Sequence, residues 1–222
     1  FVENKNDIQK ILFFTDGKAD KTWNFLNSKL TGSESVELYG WSLTRLNDYF
    51  IVENEGNKII LCPARQINSI SKLEFLILGC SDEVPDNLDE RIIIRDYAEQ
   101  YLLICPWGVG KWIGKRGTLL ASLLDKYSGK FYLGDNGGRP WFWRIVSHFR
   151  LTDLPVLPGS DPLPIKGDIK RVGSYSLMCE GEPNSINEII QSIKRSGSSI
   201  QTKGSLLSIV DFFKGRLALY QN

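Results

Sequence analysis

The sequence predicts an α/β fold: a distorted or incomplete (β/α) barrel of mostly parallel strands, with one antiparallel hairpin in its first half. Three observations predict it. Between Leu102 and Leu157, three short apolar runs of strand length alternate with two segments of helical periodicity, the pattern of βαβαβ with parallel, right-handed crossovers. Each run ends in a loop crowded with polar, Gly or Pro residues: Pro106-Trp107-Gly108, then Gly134 to Pro140, then Pro158 to Pro164. At 222 residues, 42% hydrophobic and 24% charged, the chain can bury a substantial core and fits a single α/β domain over residues 1–222.

In chain order, Ile11 to Phe14 forms a strand that ends in Thr15-Asp16-Gly17-Lys18. Asp20 is an N-cap candidate for a helix burying Trp23, Leu26 and Leu30, which Gly32 stops. Val36 to Tyr39 is the next strand. Tyr49 to Val52 and Ile59 to Cys62 flank Glu53 to Lys58, whose turn composition makes the pair the expected hairpin. Leu73 to Leu78 reads as a strand, Leu88 to Ala98 as a helix, and Leu102 to Cys105 as the first strand of the βαβαβ unit. The following helix places Leu119, Leu120, Leu123, Leu124 and Tyr127 on one side, and Phe131 to Leu133 is the second strand. Pro140 opens a helix with Phe142, Ile145, Val146 and Phe149 at i, i+3, i+4 and i+7, and Pro155 to Leu157 is the third strand. Lys166 to Arg171 is charged and exposed, and Val172 to Met178 is the final strand. Asn184 or Ser185 caps a helix with Ile186, Ile189, Ile190 and Ile193 on one face, and a last helix near Leu206 to Lys214 packs Leu206, Leu207, Val210 and Phe213.

Lys and Arg number 27 against 26 Asp and Glu, so no global field draws the chain to nucleic acid or to an anionic membrane. Any anion attraction is local. Cys62, Cys80, Cys105 and Cys179 are widely spaced and form no CxxC, which fits buried reduced thiols in a cytoplasmic protein. No run approaches the ~20 apolar residues of a membrane span, and no signal-peptide pattern opens the chain. Because the first residue is Phe1, an upstream segment is expected to have been removed.

In parallel sheets, ligands collect at the carboxyl ends of the strands, where loops converge beside exposed backbone N–H groups. That places the candidate site on Trp107, Lys111, Lys115, Arg116, Asp135, Asn136, Arg139, Ser160 and Asp161. Lys111, Lys115 and Arg116 crowd a helix start, where the dipole favours acids; either a bound anion offsets them or they form a solvated basic turn. Asp135 and Arg139 either meet a ligand or pair and shape their loop. Ser160-Asp161, stiffened by Pro155, Pro158, Pro162 and Pro164, is either functional or a turn-shaping Asx element. His148 reads as structural. Trp41, Trp141 and Trp143 read as core or rim, with saccharide stacking as the alternative.

The succession of a strand to Cys105-Pro106-Trp107, a helix, a strand to Gly134-Asp135-Asn136, a helix, a strand to Gly159-Ser160-Asp161, and then Val172-Gly173 resembles the C-terminal half of the polymerase and histidinol phosphatase (PHP) superfamily, over roughly residues 101–175. The resemblance implies a distorted α/β barrel and phosphoester hydrolysis at a cluster of divalent metals. Family members usually carry His-Pro at the first loop, Asn or Glu at the second and Ser-Asp-x-His at the third. Here the first is Cys105-Pro106 and the third Ser160-Asp161-Pro162-Leu163, and the family's His-x-His has no counterpart near Thr15 to Lys18. With His148 alone, a His-rich metal centre is excluded for these residues. Asp16, Glu37, Asp135 and Asp161 remain candidates for weakly bound Mg²⁺.

A second class of reading rests on Ile113-Gly114-Lys115-Arg116-Gly117, a helix and Ser128-Gly129-Lys130, which look like the GXXG loop of a KH nucleic-acid-binding module; near-neutral charge and the preceding strand argue against it. The segment is no Walker A loop, and no G-x-S-x-G occurs. The expectation is a PHP-like domain that binds a small anionic or saccharide-derived ligand, placed in carbohydrate metabolism. Lys111, Lys115, Arg116 and Arg139 would neutralise the anion, Asp135 and Asp161 would orient hydroxyls or Mg²⁺, and Trp107 would form a wall. If the domain is catalytic, it hydrolyses a phosphoester with Asp161 as general base; otherwise it is a sensor or scaffold derived from such an enzyme.

Overall fold

The structure is a computed structural model, and it describes residues 10–18, 21–143, 146–162, 168–178, 183–197 and 200–221. Ile145, Leu163, Pro164, Lys166, Cys179 and the proposed cap Asp20 lie outside the described residues.

The backbone is organised on one long strand, β5 (Asn57–Asn68), which has three partners. β1 (Lys10–Asp16) pairs with it in parallel from Ile59 to Arg65. β4 (Tyr49–Asn54) pairs antiparallel with Asn57 to Leu61, and β6 (Glu74–Leu78) antiparallel with Ala64 to Asn68. Ile60 faces both β1 and β4, and Ala64 both β1 and β6, so β1 holds one edge while β4 and β6 share the other end to end. Pro63 falls in the gap between them. Its carbonyl accepts from the N–H of Gly79 at 2.9 Å, so its missing N–H points to the same side, where no strand needs it. A proline that looked like the end of a strand is therefore tolerated inside one.

From β4 the sheet runs outward through β3 (Trp41–Leu46) to β2 (Ser35–Leu38), and from β6 through β7 (Leu102–Pro106) and β8 (Tyr132–Asp135) to β9 (Leu157–Pro158). Tyr39-Gly40 and Glu55-Gly56, all with positive φ, join β2 to β3 and β4 to β5 as two-residue turns whose twist suits a hairpin. The expected hairpin is present, but as part of a meander that continues to β7.

The expected (β/α) barrel is overturned. The main sheet is open, mixed and nine-stranded, with five antiparallel neighbour pairs against three parallel ones among the described residues. The βα alternation of the second half does not extend backwards, because tight turns carry the first half from strand to strand. Within the second half, β7, β8 and β9 are adjacent and parallel, as their apolar runs imply. The helix expected after Pro140 is absent among the described residues. Val146 is extended, a short 3₁₀ turn follows at Ser147–Arg150, and the Trp143 carbonyl accepts from the Arg139 guanidinium instead of a helical N–H.

Side-chain alternation makes the sheet the middle of three layers. Ile60, Cys62, Leu102 and Ile104 face α4 (Ile186–Ser196), whose Ile186, Ile189, Ile190 and Ile193 are all buried; Ser185 caps it through a hydrogen bond from the Glu188 N–H. On the opposite side, Leu61 meets α1 (Thr22–Lys29), while Ile77, Leu103 and Cys105 meet α2 (Glu90–Tyr97) and α3 (Lys115–Lys126). The expected final strand, β10 (Tyr175–Met178), pairs instead with β11 (Gln201–Gly204) in a separate two-stranded sheet. The last helix, α5 (Ile209–Gln221), begins later than expected, and Val210 and Phe213 on it are exposed rather than buried.

Gly79 marks where α4 presses closest: a Cβ there would lie 2.7 Å from Ile190 Cδ1 and 2.9 Å from Ile186 Cγ2, on a backbone with φ of +94°. Gly79→Ala should destabilise the fold by about 1–3 kcal/mol, read as a lower urea midpoint with unchanged slope.

Candidate functional site

Parallel pairing of β7, β8 and β9 brings the three polar loops to one end of the sheet. Two backbone bonds lace them together: Trp107 N–H to the Gly134 carbonyl at 2.7 Å, and Gly159 N–H to the Asp135 carbonyl at 2.8 Å. The three loops are therefore neighbours at one end of an open sheet.

Its centre is an ion pair. Asp135 and Arg139 are both buried; Oδ2 of Asp135 accepts from Arg139 Nε at 3.0 Å and from its terminal nitrogen at 2.6 Å, and Oδ1 accepts from the Gly137 N–H at 3.2 Å. Tyr175, on β10, lies close by; burial, then the Asp135 charge, pushes its phenol pKa up. Gly137 is tightly enclosed, since a Cβ there would meet Tyr175 Cδ1 at 3.0 Å. Of the two readings of Asp135 and Arg139, loop-shaping is what the geometry displays. Nothing in the sequence neighbourhood of Tyr175 links it to β8.

The outer part of the rim is more open. Asn136 donates its amide to Asp161 Oδ2 at 3.0 Å and accepts from the Gly138 N–H at 3.0 Å, joining second and third loops. Asp161 is exposed and has φ of +31°, a left-handed backbone that a non-glycine residue adopts at a cost. Ser160 is engaged internally: its carbonyl accepts from Arg171 at 3.1 Å and its Oγ from the Gly173 N–H at 3.0 Å. Trp107 is buried and packs edge-on against the half-exposed Trp143, ring centroids 5.4 Å apart, so Trp143 rather than Trp107 presents the aromatic surface. Trp141 is also exposed, as a rim residue would be.

The cations of the first loop are dispersed. Lys111 pairs with Glu74 at 2.7 Å, Arg116 donates to the Gly110 carbonyl at 2.7 Å, and Lys115 is exposed at the start of α3. Gly114 is the N-cap of α3, and Lys115 to Gly117 belong to its first turn. A Cβ on Gly117 would stand 2.6 Å from the Trp112 carbonyl, and His148 Nε2 lies 3.0 Å from the Gly117 carbonyl. The KH-like reading is corrected accordingly, because Gly117 is packed under His148 and Trp112 rather than presented to a nucleic-acid backbone. His148 is structural.

The four carboxylates weighed for Mg²⁺ do not converge. Asp16 is buried on β1, its Oδ2 accepting from the Trp23 N–H at 2.9 Å and so capping α1. β5, β6 and β7 separate it from β8, roughly 19 Å at ~4.8 Å per strand. Glu37 is exposed on β2, in the other arm of the sheet. Among the described residues, no three His, Cys, Asp or Glu side chains are grouped to hold a metal ion. Cys105, at the position where the PHP resemblance expects histidine, is wholly buried, and burial pushes its thiol up to about 12.

No protein-family model matches the chain, and no curated protein matches it in sequence. Among solved structures it is similar to PsfC from Pseudomonas syringae PB-5123, with 14% identity, a TM-score of 0.58, and coverage of 95% of this chain and 84% of that one. That likeness shows a shared fold. The lesion-specific endonuclease PfuEndoQ from Pyrococcus furiosus matches at 17% identity and a TM-score of 0.47, over 86% of this chain and 48% of that one. An Endonuclease Q complex with a 27-mer duplex carrying an abasic lesion matches at 16% identity and a TM-score of 0.43, over 88% of this chain and 57% of that one.

Arg139→Met should destabilise by about 3–5 kcal/mol, because Asp135 is left buried without its partner, whereas Asp135→Leu with Arg139→Met should lose less than the sum of the single changes; denaturant unfolding of the four proteins checks it. Cys62 and Cys105, both pushed up to about 12 by burial, should resist a thiol reagent at pH 8 in the native protein and react once it is unfolded, as peptide mapping would show.

Proposed function

We propose that this chain is a divergent domain related to the PHP-like hydrolases, and that it binds a small saccharide-derived or anionic ligand at the carboxyl ends of β8 and β9. One observation carries the reading: Asp161, exposed at a strand end, is held in a left-handed backbone and oriented by the Asn136 amide. Strain of this kind costs about 1–3 kcal/mol and persists where the surroundings impose it, often at sites that position a ligand. An oriented carboxylate beside an amide suits hydroxyl groups, which donate to the one and exchange hydrogen bonds with the other. The exposed faces of Trp141 and Trp143, two and four residues after Arg139, suit the apolar face of a sugar ring.

Lys111 and Arg139 are occupied by Glu74 and Asp135, so a hydroxyl-rich ligand fits this rim better than a multiply charged one; Lys115 and Arg116 are the cations left for a single anionic group. The loop order that resembles the PHP superfamily supports the relationship to hydrolases. In this reading, Asp161 would be the base of any phosphoester hydrolysis.

A thermal-shift panel of neutral sugars, sugar phosphates and sugar carboxylates tests the proposal. At least one saccharide should raise the melting temperature, and Asp161→Ala or Asn136→Ala should weaken that binding about tenfold or more. Silence across the panel, or binding indifferent to both substitutions, overturns it. Phosphoesterase assays with Mg²⁺ or Mn²⁺, and titration with duplex DNA, decide between hydrolysis, nucleic-acid binding and simple ligand capture.

A further inference from the structure

At the opposite end of the sheet, near the amino ends of β7 and β8, a groove of about 350 Å³ opens between the end of α2, the turn before β8 and the flank of α4. Its lining is mixed: Tyr101, Leu103, Tyr132 and Leu154 give it an apolar part, and Glu99 and the ammonium groups of Lys130 and Lys194 a charged part. The volume lies within the range that holds a small ligand.

Lys194 is the informative group. It is half-buried on α4, and its ammonium donates to two backbone carbonyls, those of Ala98 and Glu99, both at a long 3.4 Å. An ammonium has three N–H donors, so one is left over, and among the described residues no carboxylate forms an ion pair with it. Burial, with the nearby Lys130 acting in the same direction against Glu99, holds its pKa below the ordinary lysine value. A charge in that position is short of an anion. The acid that lines the groove, Glu99, has an 80% exposed side chain and bonds Lys130 at 3.2 Å, a surface pair of the kind that contributes little and gives way easily.

We infer that this groove is a second ligand site, taking a small carboxylate with an apolar or aromatic body. The carboxylate lies between Lys130 and Lys194, and the body lies against Tyr101, Leu103, Tyr132 and Leu154. Phosphate, which has no apolar body, uses only half of such a site.

Calorimetric titration of the full chain with benzoate, acetate and inorganic phosphate tests the inference. Benzoate should bind in a saturable 1:1 manner, and acetate and phosphate at least about tenfold more weakly. Lys194→Met and Lys130→Met should each weaken benzoate about tenfold or more, the size expected for a lost charge-assisted hydrogen bond. Leu154→Trp, which fills the groove and leaves both lysines in place, should abolish binding even if Lys194→Met proves poorly folded by circular dichroism, and Lys58→Met on the distant hairpin should change nothing. Absence of benzoate binding at millimolar concentration, phosphate binding as tightly as benzoate, or benzoate affinity unchanged in Leu154→Trp would each overturn it. Because these residues lie away from Asn136 and Asp161, the outcome is independent of the strand-end proposal.

Discussion

The whole arrangement hangs on how β5 divides its hydrogen bonds. Twelve residues long, it gives one edge to β1 and splits the other between β4 and β6, with Pro63 at the join. Two arms of sheet therefore leave the same edge, one ending in β2 and the other in β9. The division keeps the sheet open. It also keeps the carboxyl end of β1 away from those of β8 and β9, which a closed barrel would have brought round to face them. The separation of Asp16 from Asp135 and Asp161 is a direct consequence of that topology.

Electrostatics within the second arm follow a consistent rule: charge taken out of water is matched locally. Asp135 and Arg139 satisfy each other with Gly137 and Tyr175 around them, and Lys111 turns to Glu74 on the neighbouring strand. A buried pair of this kind contributes more to defining one loop conformation than to net stability, since desolvation offsets most of the attraction. At the margins, the Asp161 carboxylate at one end of the sheet and the Lys194 ammonium at the other are held by neutral hydrogen-bond partners, with no ion pair to either among the described residues. Both proposals arise from those two groups.

Much of this was legible in the sequence, and the rest was not, for identifiable reasons. The strands at Leu102, Phe131 and Pro155 announced themselves through apolar runs ended by turn residues, and their parallel adjacency followed. Ile186, Ile189, Ile190 and Ile193 declared the face of α4, with Ser185 as its cap. The strand Trp41–Leu46 was missed because a two-residue turn at Tyr39-Gly40 leaves almost no gap, and Trp-Ser-Leu-Thr-Arg-Leu carries only a weak alternation. The apolar periodicity after Pro140 misled, since Arg139 takes the Trp143 carbonyl and Phe142 stays exposed. Strand order, and hence which carboxylates meet, is set by long-range pairing that local pattern does not encode. Of the rim residues, loop composition put Asn136 and Asp161 in successive loops and offered Trp143 as core or rim, whereas the place of Tyr175 beside Gly137 emerges only from tertiary packing.

The outermost strand, β2, is four residues long, and its side chains at Ser35 and Glu37 point into solvent. A border so brief and so polar offers a passing polypeptide few places to zip on, and Glu37 would lose hydration if one tried. Growth of the sheet into a neighbouring molecule is thereby discouraged at the free edge of β2.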